Sequence, residues 1–290
     1  MKSFKDYNPI AIFVYYLLVI VPAMFCINPV LMCISAVGGF AFRMAKDGPQ
    51  AAKKMLPFFI FPVAAMIFNP LFMHKGATTL FILNNNPITY ESAMFGLTAG
   101  LMICSTVIWF SSFNSIMTTD KLLYVFGSIS PKVALILSMA LRYIPLYGQQ
   151  IKKIRQAQIV TGLYKEDNAI DKIRGGMRIF SVMVSWALEN GIITADSMTA
   201  RGYGVGRRTR FAIFSWKKQD TMLLAAAIVL GGMVIAGLRS LAYEWYPNIV
   251  TPGTAPLPMI TYAAFALLAA IPTYLQLKED ARWRSFQSGI

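Results

Sequence analysis

Thr221-Met-Leu-Leu-Ala-Ala-Ala-Ile-Val-Leu-Gly-Gly-Met-Val-Ile-Ala-Gly237 runs without a single charged side chain. A helix needs about 20 mainly apolar residues to cross the hydrocarbon core of a bilayer, so this stretch predicts a membrane-spanning helix. Over the whole chain 56% of residues are hydrophobic and only 14% are charged. Soluble domains carry about 25% charged residues, so the composition indicates that lipid surrounds much of this chain.

Further stretches of the same kind predict an all-α polytopic membrane protein with about six transmembrane helices and long amphipathic cytoplasmic helices. The additional spans are Pro9–Cys26, Pro29–Phe42, Met55–Met73, Ala93–Phe113 and Met259–Leu275. Asn28-Pro29 forms a tight turn between the first two spans, the second of which is the shortest. The connections 74–92 and 239–258 are predicted to be irregular, with Leu80–Leu83 dipping toward the membrane surface.

The distribution of positive charge predicts the orientation. The chain has 27 Lys and Arg against 13 Asp and Glu, a net charge of +14. Sixteen of the basic residues lie within 114–220, and only Lys75 and Arg239 fall outside when the N-terminus is placed in the cytoplasm. The positive-inside rule therefore predicts a multi-pass protein of the bacterial inner membrane, the cell membrane, with both termini cytoplasmic.

This orientation divides the chain into four predicted segments. The N-terminal transmembrane helices occupy 1–113, the cytoplasmic or interfacial coupling region occupies 114–219, the C-terminal transmembrane helices occupy 220–276, and 277–290 is a cytoplasmic tail. A basic chain can also bind nucleic acid, but none of the zinc-finger, RRM or homeodomain patterns is present. The expected partner of the positive charge is the lipid bilayer, and nucleic acid is not expected to bind.

Several function classes are disfavoured. The predicted spans contain no Asp, Glu, Lys or Arg, although ion-driven carriers and intramembrane proteases depend on polar groups there. The P-loop pattern GxxxxGK[ST] is missing, so ATP is not expected to bind this chain by that route. The cysteines lie in apolar stretches and His74 is the only histidine, so neither a catalytic nor a metal nor a cofactor site is predicted.

The middle of the chain predicts amphipathic helices rather than spans. Asp120–Ser128 reads as a short helix on the membrane surface. Pro131–Thr161 carries apolar residues at spacings of three and four and is expected to bend at Pro145, and Ile170–Ile193 repeats the pattern with Arg174 and Arg178 on its polar side. Such helices lie along the inner interface or pack on each other. The alternative is a basic helix that only rests on the membrane.

Two stretches are more specific, and each is predicted to end a helix at a glycine. Ala140–Gly162 ends at Gly162, and the segment from Ala195 reaches Gly202, because glycine suits the left-handed position that follows a helix. Arg201 projects from the second end with a guanidinium that can bond carboxylates or backbone carbonyls of another protein. Spacing alone equally permits a surface charge followed by a glycine-rich loop.

These stretches resemble the transmembrane T component (EcfT, CbiQ-like) of energy-coupling factor transporters, the modular vitamin and metal-ion ABC importers of prokaryotes. The family signature Ser-Met-x-Ala-Arg-Gly-Tyr followed by Arg-Thr is matched by Ser197, Met198, Ala200, Arg201, Gly202, Tyr203, Arg208 and Thr209. The Leu-Arg-aromatic-x-Pro element of the family is matched by Leu141, Arg142, Tyr143 and Pro145.

The family's other signature departs in this chain. The family has an Ala-Arg-Gly that follows Ala-Gln, whereas here Ala157-Gln158 leads to Thr161-Gly162. Thr161 therefore stands where the arginine is expected. Arg155, lower on the same helix, is the residue of this stretch that is available to compensate.

The resemblance implies a scaffold without catalytic activity. Two coupling helices, here around Gln149–Gly162 and Ala195–Gly202, dock on two ABC-type ATPases that bind the ATP. The apolar faces of 131–160 and 173–193 hold a small membrane-embedded S component that captures the substrate, so no cofactor is expected on this chain. The docking residues that the resemblance implies are Thr161, Gly162, Ala200, Arg201 and Gly202, with Arg155 beside them, and the residues that support the coupling helices are Arg142, Pro145, Gln158, Ser197, Met198, Tyr203 and Arg208.

Two other functions stay open at this level. A permease subunit of a conventional ABC importer also docks ATPases through a cytoplasmic helix, but it forms its own substrate path. A membrane enzyme that acts on anionic lipid would use the basic inner region, although this region has no His, Cys or Asp cluster to carry the chemistry.

Overall fold

The computed structural model describes residues 4–83, 86–163, 169–206, 214–251 and 256–287. The helices are α1 Pro9–Phe25, α2 Pro29–Asp47, α3 Pro49–Met55, α4 Ile60–Phe72, α5 Tyr90–Ile116, α6 Thr119–Ile129, α7 Pro131–Val160, α8 Ala169–Ala200, α9 Lys218–Gly237 and α10 Pro256–Gln287. Two short strands, β1 Thr79–Leu83 and β2 Asn86–Thr89, lie between α4 and α5. The chain divides into two compact units, Met1–Val125 with Phe214–Ile290, and Phe126–Ile213.

The first unit contains the membrane-spanning helices. Five helical stretches of the described chain are long and apolar enough to cross a membrane: Pro29–Asp47, Lys53–Phe72, Tyr90–Ile116, Lys218–Leu241 and Pro256–Trp283. Helix α1 is equally apolar but shorter, at 17 residues. The prediction of an all-α polytopic membrane protein is confirmed, and every predicted span corresponds to one of these helices.

The helices extend beyond the predicted spans. Helix α2 continues past Phe42 to Asp47, where Arg43 and Asp47 form an ion pair of 3.0 Å one turn apart. Helix α5 begins at Tyr90, so the buried carboxylate of Glu91 lies in its first turn. Charged residues therefore enter these helices only near their ends, which agrees with the apolar middle of each span.

A buried aspartate joins the beginnings of α1 and α9. Asp220 is fully buried, and one of its carboxylate oxygens accepts a hydrogen bond from the backbone N–H of Asn8 at 2.9 Å. The other accepts from the N–H of Lys217 at 2.8 Å, while the Asn8 side chain caps α1 by accepting from Ile10 at 3.0 Å. Because a buried carboxylate is costly without partners, these bonds fix where both helices start.

Aromatic side chains fill the core of the first unit. Tyr16 and Trp109 are buried edge-to-face partners with ring centroids 6.1 Å apart, and Tyr16 makes a second such contact with Phe113 at 5.4 Å. The indole N–H of Trp109 donates to the hydroxyl of Ser35 at 3.1 Å. The ring stack thus joins α1 and α5, and α2 satisfies its indole N–H, while the buried Tyr16 hydroxyl has no hydrogen-bond partner among the described residues.

The connection between α4 and α5 differs from the prediction of an irregular loop. Strands β1 and β2 pair antiparallel, with Phe81 opposite Ile88. Leu80 is 58% exposed, and its neighbours in the β1 strand are exposed as well. The run Thr79–Leu83 is rich in residues that favour strands, and this preference decides the local structure where the prediction considered only the Asn-Pro turn signal. Asn84 and Asn85 of that turn lie outside the described residues.

The second unit is built on α7 and α8. Helix α7 continues unbroken through Pro145, and α8 is a single helix from Ala169 to Ala200. The predicted amphipathic run Ile170–Ile193 and the stretch from Ala195 to Gly202 therefore lie on one continuous helix and its terminal turn, because no proline interrupts the segment. Helix α6 agrees with the predicted short helix Asp120–Ser128.

Helices α7 and α8 run antiparallel, as three contacts show. The hydroxyls of Tyr143 and Thr194 are 2.7 Å apart, the rings of Tyr147 and Trp186 meet edge-to-face at 5.6 Å, and Arg178 reaches the carbonyl of Leu163 at 3.0 Å. The residue numbers rise along α7 as they fall along α8. The two helix C-termini therefore lie at opposite ends of the pair.

Candidate functional site

The C-terminus of α8 is closed by a Schellman motif. Gly202 has φ +77°, and its N–H donates to the carbonyl of Thr199 at 2.9 Å. The N–H of Tyr203 donates to the carbonyl of Met198 at 3.0 Å. A left-handed glycine with this pair of bonds satisfies carbonyls that the helix itself leaves without donors. Arg201 is the cap residue immediately before the turn.

The C-terminus of α7 has the same geometry. Gly162 has φ +70°, and its N–H donates to the carbonyl of Ile159 at 3.0 Å. The N–H of Leu163 donates to the carbonyl of Gln158 at 2.9 Å. Thr161 and Arg201 therefore occupy equivalent cap positions on the two helices. The predicted glycine-terminated ends are both present, and the structure makes them two copies of one backbone motif.

Gly162 and Gly202 are both exposed. A Cβ placed on either glycine would meet nothing within 4 Å, so the space directly beside both turns is open.

The cap side chains of the two ends differ in what they offer a partner. The hydroxyl of Thr161 lies 2.9 Å from the carbonyl of Ala157 and 3.2 Å from that of Gln158, so its donor is used within its own helix. Arg201 is exposed and carries a planar guanidinium with several donors. The α8 end therefore presents a cation from its cap position, whereas the α7 end presents none from the same position.

A different arginine reaches the α7 end. Arg178 extends from α8, and its Nη1 donates to the carbonyl of Leu163, one residue beyond Gly162, at 3.0 Å. Its side chain is exposed, and it lines a depression of about 300 Å³ together with Gly162, Leu163 and Asp171. The hydrophobic pattern places Arg178 only on the polar side of its helix. Its position beside Leu163 depends on the pairing of α7 with α8, which a local sequence pattern does not predict.

The Leu-Arg-aromatic-x-Pro element lies in the middle of α7, at the contact with α8. The hydroxyl of Tyr143 is 2.7 Å from that of Thr194, and the guanidinium of Arg142 lies 5.5 Å from the centre of the Tyr143 ring. The hydrogen bond with Thr194, aided by the Arg142 guanidinium, holds the pKa of Tyr143 below its usual value. Pro145 is exposed on the same helix. This element therefore joins the two helices rather than forming either end.

The remaining predicted residues that the structure describes lie on α7 and α8, near the C-terminus of each helix. Gln158 is buried, and its backbone carbonyl closes the α7 turn. Ser197 accepts the N–H of Arg201 at 3.2 Å through its carbonyl, and Ala200 is the last residue of α8. Arg155 is exposed on α7, six residues before Thr161. Arg208 lies outside the described residues.

Comparison with known proteins decides the family. The family model described as CbiQ, cobalt transport protein, matches residues 4–212. The chain belongs to the CbiQ cobalt transport protein family. The matched range includes α7, α8 and both helix ends, so the membership covers the second unit as well as part of the first.

Named relatives of this CbiQ-family chain carry the description energy-coupling factor transporter transmembrane protein EcfT. The protein from Streptococcus equi subsp. equi is 27% identical over 177 residues, which are 56% of this chain and 64% of the relative. That from Listeria innocua is 31% identical over 176 residues, covering 57% and 66%. That from Bacillus selenitireducens is 25% identical over 227 residues, covering 72% and 83%. The first two alignments thus span somewhat less than two thirds of the relatives.

Proposed function

We propose that this chain is the transmembrane T component of an energy-coupling factor importer. In this role it transmits ATP hydrolysis by two partner ATPases to a substrate-binding S component and so drives uptake of a vitamin or a metal ion. The chain itself performs no catalysis and binds no cofactor, and ATP is bound by the partner subunits. The resemblance of its signatures, its family and the names of its relatives all support this assignment.

The observation that carries the proposal is the matched pair of exposed helix ends. Each end is a glycine-terminated turn, and the antiparallel pairing of α7 and α8 places the two ends at opposite ends of the helix pair. Two equivalent ends that point away from each other suit two ATPases of similar shape, one at each end. A helix that only rested on a membrane surface would not require two copies of one exposed terminus.

The outer faces of α7 and α8 suit the S component. Neither helix is among the candidate membrane spans, yet both expose large apolar side chains. Five of the strongest cases are 63–67% exposed: Ile136, Ile144, Ile173, Met177 and Phe180. Exposed apolar area of this extent needs a covering partner. We assign that partner as the small hydrophobic S component, because the ATPases already occupy the helix ends.

The defining experiment is purification of the tagged chain from its native membranes in mild detergent, with mass spectrometry of the recovered subunits. We expect two ATPase copies and one small hydrophobic protein for each copy of this chain. A conventional permease would instead give two copies of this chain with two ATPases and no small membrane protein. Recovery without any ATPase would exclude both assignments.

Arg201→Ala gives the matching residue test. Loss of one charge-assisted contact should weaken ATPase docking by about 1.5–3 kcal/mol and reduce uptake of the substrate. Docking is measured as the ATPase recovered per copy of this chain over a series of salt concentrations. Arg174→Ala removes the same charge from an exposed position elsewhere on α8 and serves as the control. Equal ATPase recovery and equal uptake in the two variants would remove Arg201 from the docking site.

A further inference from the structure

The α7 end lacks a cation at its cap, yet a guanidinium lies beside it. Thr161 and Arg201 occupy equivalent positions in two matching turns, and the Thr161 hydroxyl bonds back to its own helix. Arg178 reaches the same turn from α8 and contacts the carbonyl of Leu163 at 3.0 Å. An exposed arginine thus contacts or caps each helix end, supplied at one end by the cap residue Arg201 and at the other by Arg178 of the neighbouring helix.

The position of Arg178 leaves it able to bind a second group. A guanidinium presents several N–H donors in a fixed fork, and the bond to Leu163 uses one of its two terminal nitrogens. The side chain is exposed and borders the depression formed with Gly162, Leu163 and Asp171. The bond to Leu163 holds the guanidinium at the turn, so less side-chain entropy remains to be lost when a partner binds.

We propose that Arg178 is the cationic docking residue of the α7 end, where it binds a carboxylate on the surface of the ATPase that docks there. It supplies the positive charge that the cap residue Thr161 lacks. This inference rests on the proposed function. It assigns an acidic groove on that ATPase as the partner surface. It also means that the grip at the α7 end depends on both helices, because the turn belongs to α7 and the cation belongs to α8.

The experiment measures binding of the co-purified ATPases, added back as purified proteins, to the reconstituted wild-type chain and to its variants. Arg178→Ala should weaken binding at one of the two ATPase positions on the order of tenfold or more, with a smaller dependence on salt. Arg178→Lys should retain part of the affinity, because it keeps the charge but loses the fork. Arg174→Ala, one turn away on α8, should bind like the wild type.

A second substitution separates docking from a purely structural role. Thr161→Arg places a guanidinium at the cap position that Arg201 occupies on α8, so it should restore binding to Arg178→Ala. If Arg178 only fastened Leu163, the cap arginine would not restore binding, and hydrogen exchange at the α7 end would stay elevated in the double variant. That result would overturn the inference.

The remaining outcomes distinguish this inference from the proposed function. Binding by Arg178→Ala that equals Arg174→Ala, while Arg201→Ala loses an ATPase, would overturn the role of Arg178 and leave the T-component assignment standing. Full binding by both Arg178→Ala and Arg201→Ala would overturn the two together. Circular dichroism and gel filtration of each variant establish that the comparison is made between folded proteins.

Discussion

At the residue scale, the structure of the two helix ends depends more on backbone conformation than on side-chain contacts. Gly162 and Gly202 have φ of +70° and +77°, a region that L residues enter at a cost of roughly 1–2 kcal/mol and that achiral glycine enters freely. The surrounding space is open at both positions. Any substitution there acts through the backbone, and the neighbouring Thr161 or Arg201 is displaced only as a consequence.

Gly202→Ala should therefore lower the stability of the last turn of α8 by about 1 kcal/mol, although the new Cβ clashes with no atom. The frayed turn should bind its ATPase more weakly. Hydrogen exchange at residues 198–203 measures the fraying, and ATPase recovery measures its effect. Gly191→Ala is the control, since this glycine lies inside the same helix with equally open space, and alanine there should be neutral or stabilising. Equal exchange at residues 198–203 in both variants would show that the left-handed turn does not hold the end.

The sequence was sufficient for some of these residues and insufficient for others. Gly162, Gly202 and Arg201 are local signals, because a glycine after an amphipathic run ends a helix whatever surrounds it. Arg178 is not a local signal. Its hydrogen-bond partner Leu163 is fifteen residues earlier in the chain, at the end of α7. Hydrophobic periodicity predicts the helix face on which a side chain lies, but not the residues that pack against that face. Arg155 is the residue that the α7 sequence offers in place of the missing signature arginine, and its role stays a prediction.

At the scale of elements, the pairing of α7 and α8 depends on a few aromatic side chains. Tyr147 meets Trp186 edge-to-face and stacks on Tyr143, whose hydroxyl reaches Thr194. Aromatic contacts of this kind contribute roughly 0.5–1.5 kcal/mol beyond the area they bury. We expect this contact to hold the distance between the two helix ends. Removing one aromatic side chain here should therefore change that distance, although the ends lie far from the contact.

Trp186→Ala should broaden the distribution of distances between the helix ends. Spin labels on Val160→Cys and Val205→Cys, both 88% exposed in the native chain, report that distance by pulsed electron paramagnetic resonance. Cys33, an exposed free cysteine, is replaced by serine in the background. Leu188→Ala, an exposed truncation on the same helix, should leave the distribution narrow. Identical distributions in the two variants would mean that the ring contact does not set the spacing.

Helices α4 and α5 depend on small residues in a comparable way. A Cβ on Gly100 would collide with the backbone of Pro62, and one on Gly96 would collide with the carbonyl of Ala65. Gly100→Ala should lower the stability of the first unit by about 1–3 kcal/mol, measured as a lower Tm in detergent. Gly232→Ala in α9, where the space is open, is the matched control. Equal melting temperatures would contradict the close approach of these helices.

Element type was predictable where hydrophobic patterns are long, and less so where local preferences compete. Each long apolar run predicts a helix that the structure contains. The helices continue beyond the predicted spans into residues that include charged side chains, as α2 does from Phe42 to Asp47. The β1–β2 hairpin is not predicted, because the Asn-Pro turn signal indicates an irregular loop whereas the strand preference of Thr79–Leu83 determines the structure. Helix α8 joins the predicted amphipathic run Ile170–Ile193 to the stretch that ends at Gly202, because no proline separates them.

At the scale of the whole molecule, the predicted number of crossings relates the positions of the two termini. Helix α1 and the five candidate spans of the described chain would make six crossings, and an even number returns the chain to the side where it began. With the positive-inside rule, we predict that both termini and the basic region 126–206 are cytoplasmic. Labelling of single cysteines in intact cells measures this orientation.

A cysteine at Lys75 should react with a membrane-impermeant maleimide in intact cells, whereas a cysteine at exposed Phe286 should react only after the cells are opened. Cys33→Ser provides the background, since Cys33 is the exposed free cysteine of the native chain. Cysteine at Val205 serves as the matched control for the coupling region and should behave like Phe286. Labelling of Phe286→Cys but not of Lys75→Cys in intact cells would show that the orientation is the opposite of the predicted one.

The open space around Gly162 and Gly202 makes handedness the only property of a small side chain that matters at these positions. An L-alanine must be forced into the backbone shape that glycine adopts, but the mirror-image amino acid favours that shape. D-alanine introduced at either position by chemical ligation would keep the turn and would also restrict the unfolded chain. Chirality, with composition and volume held constant, would then decide whether a terminus holds its partner or frays.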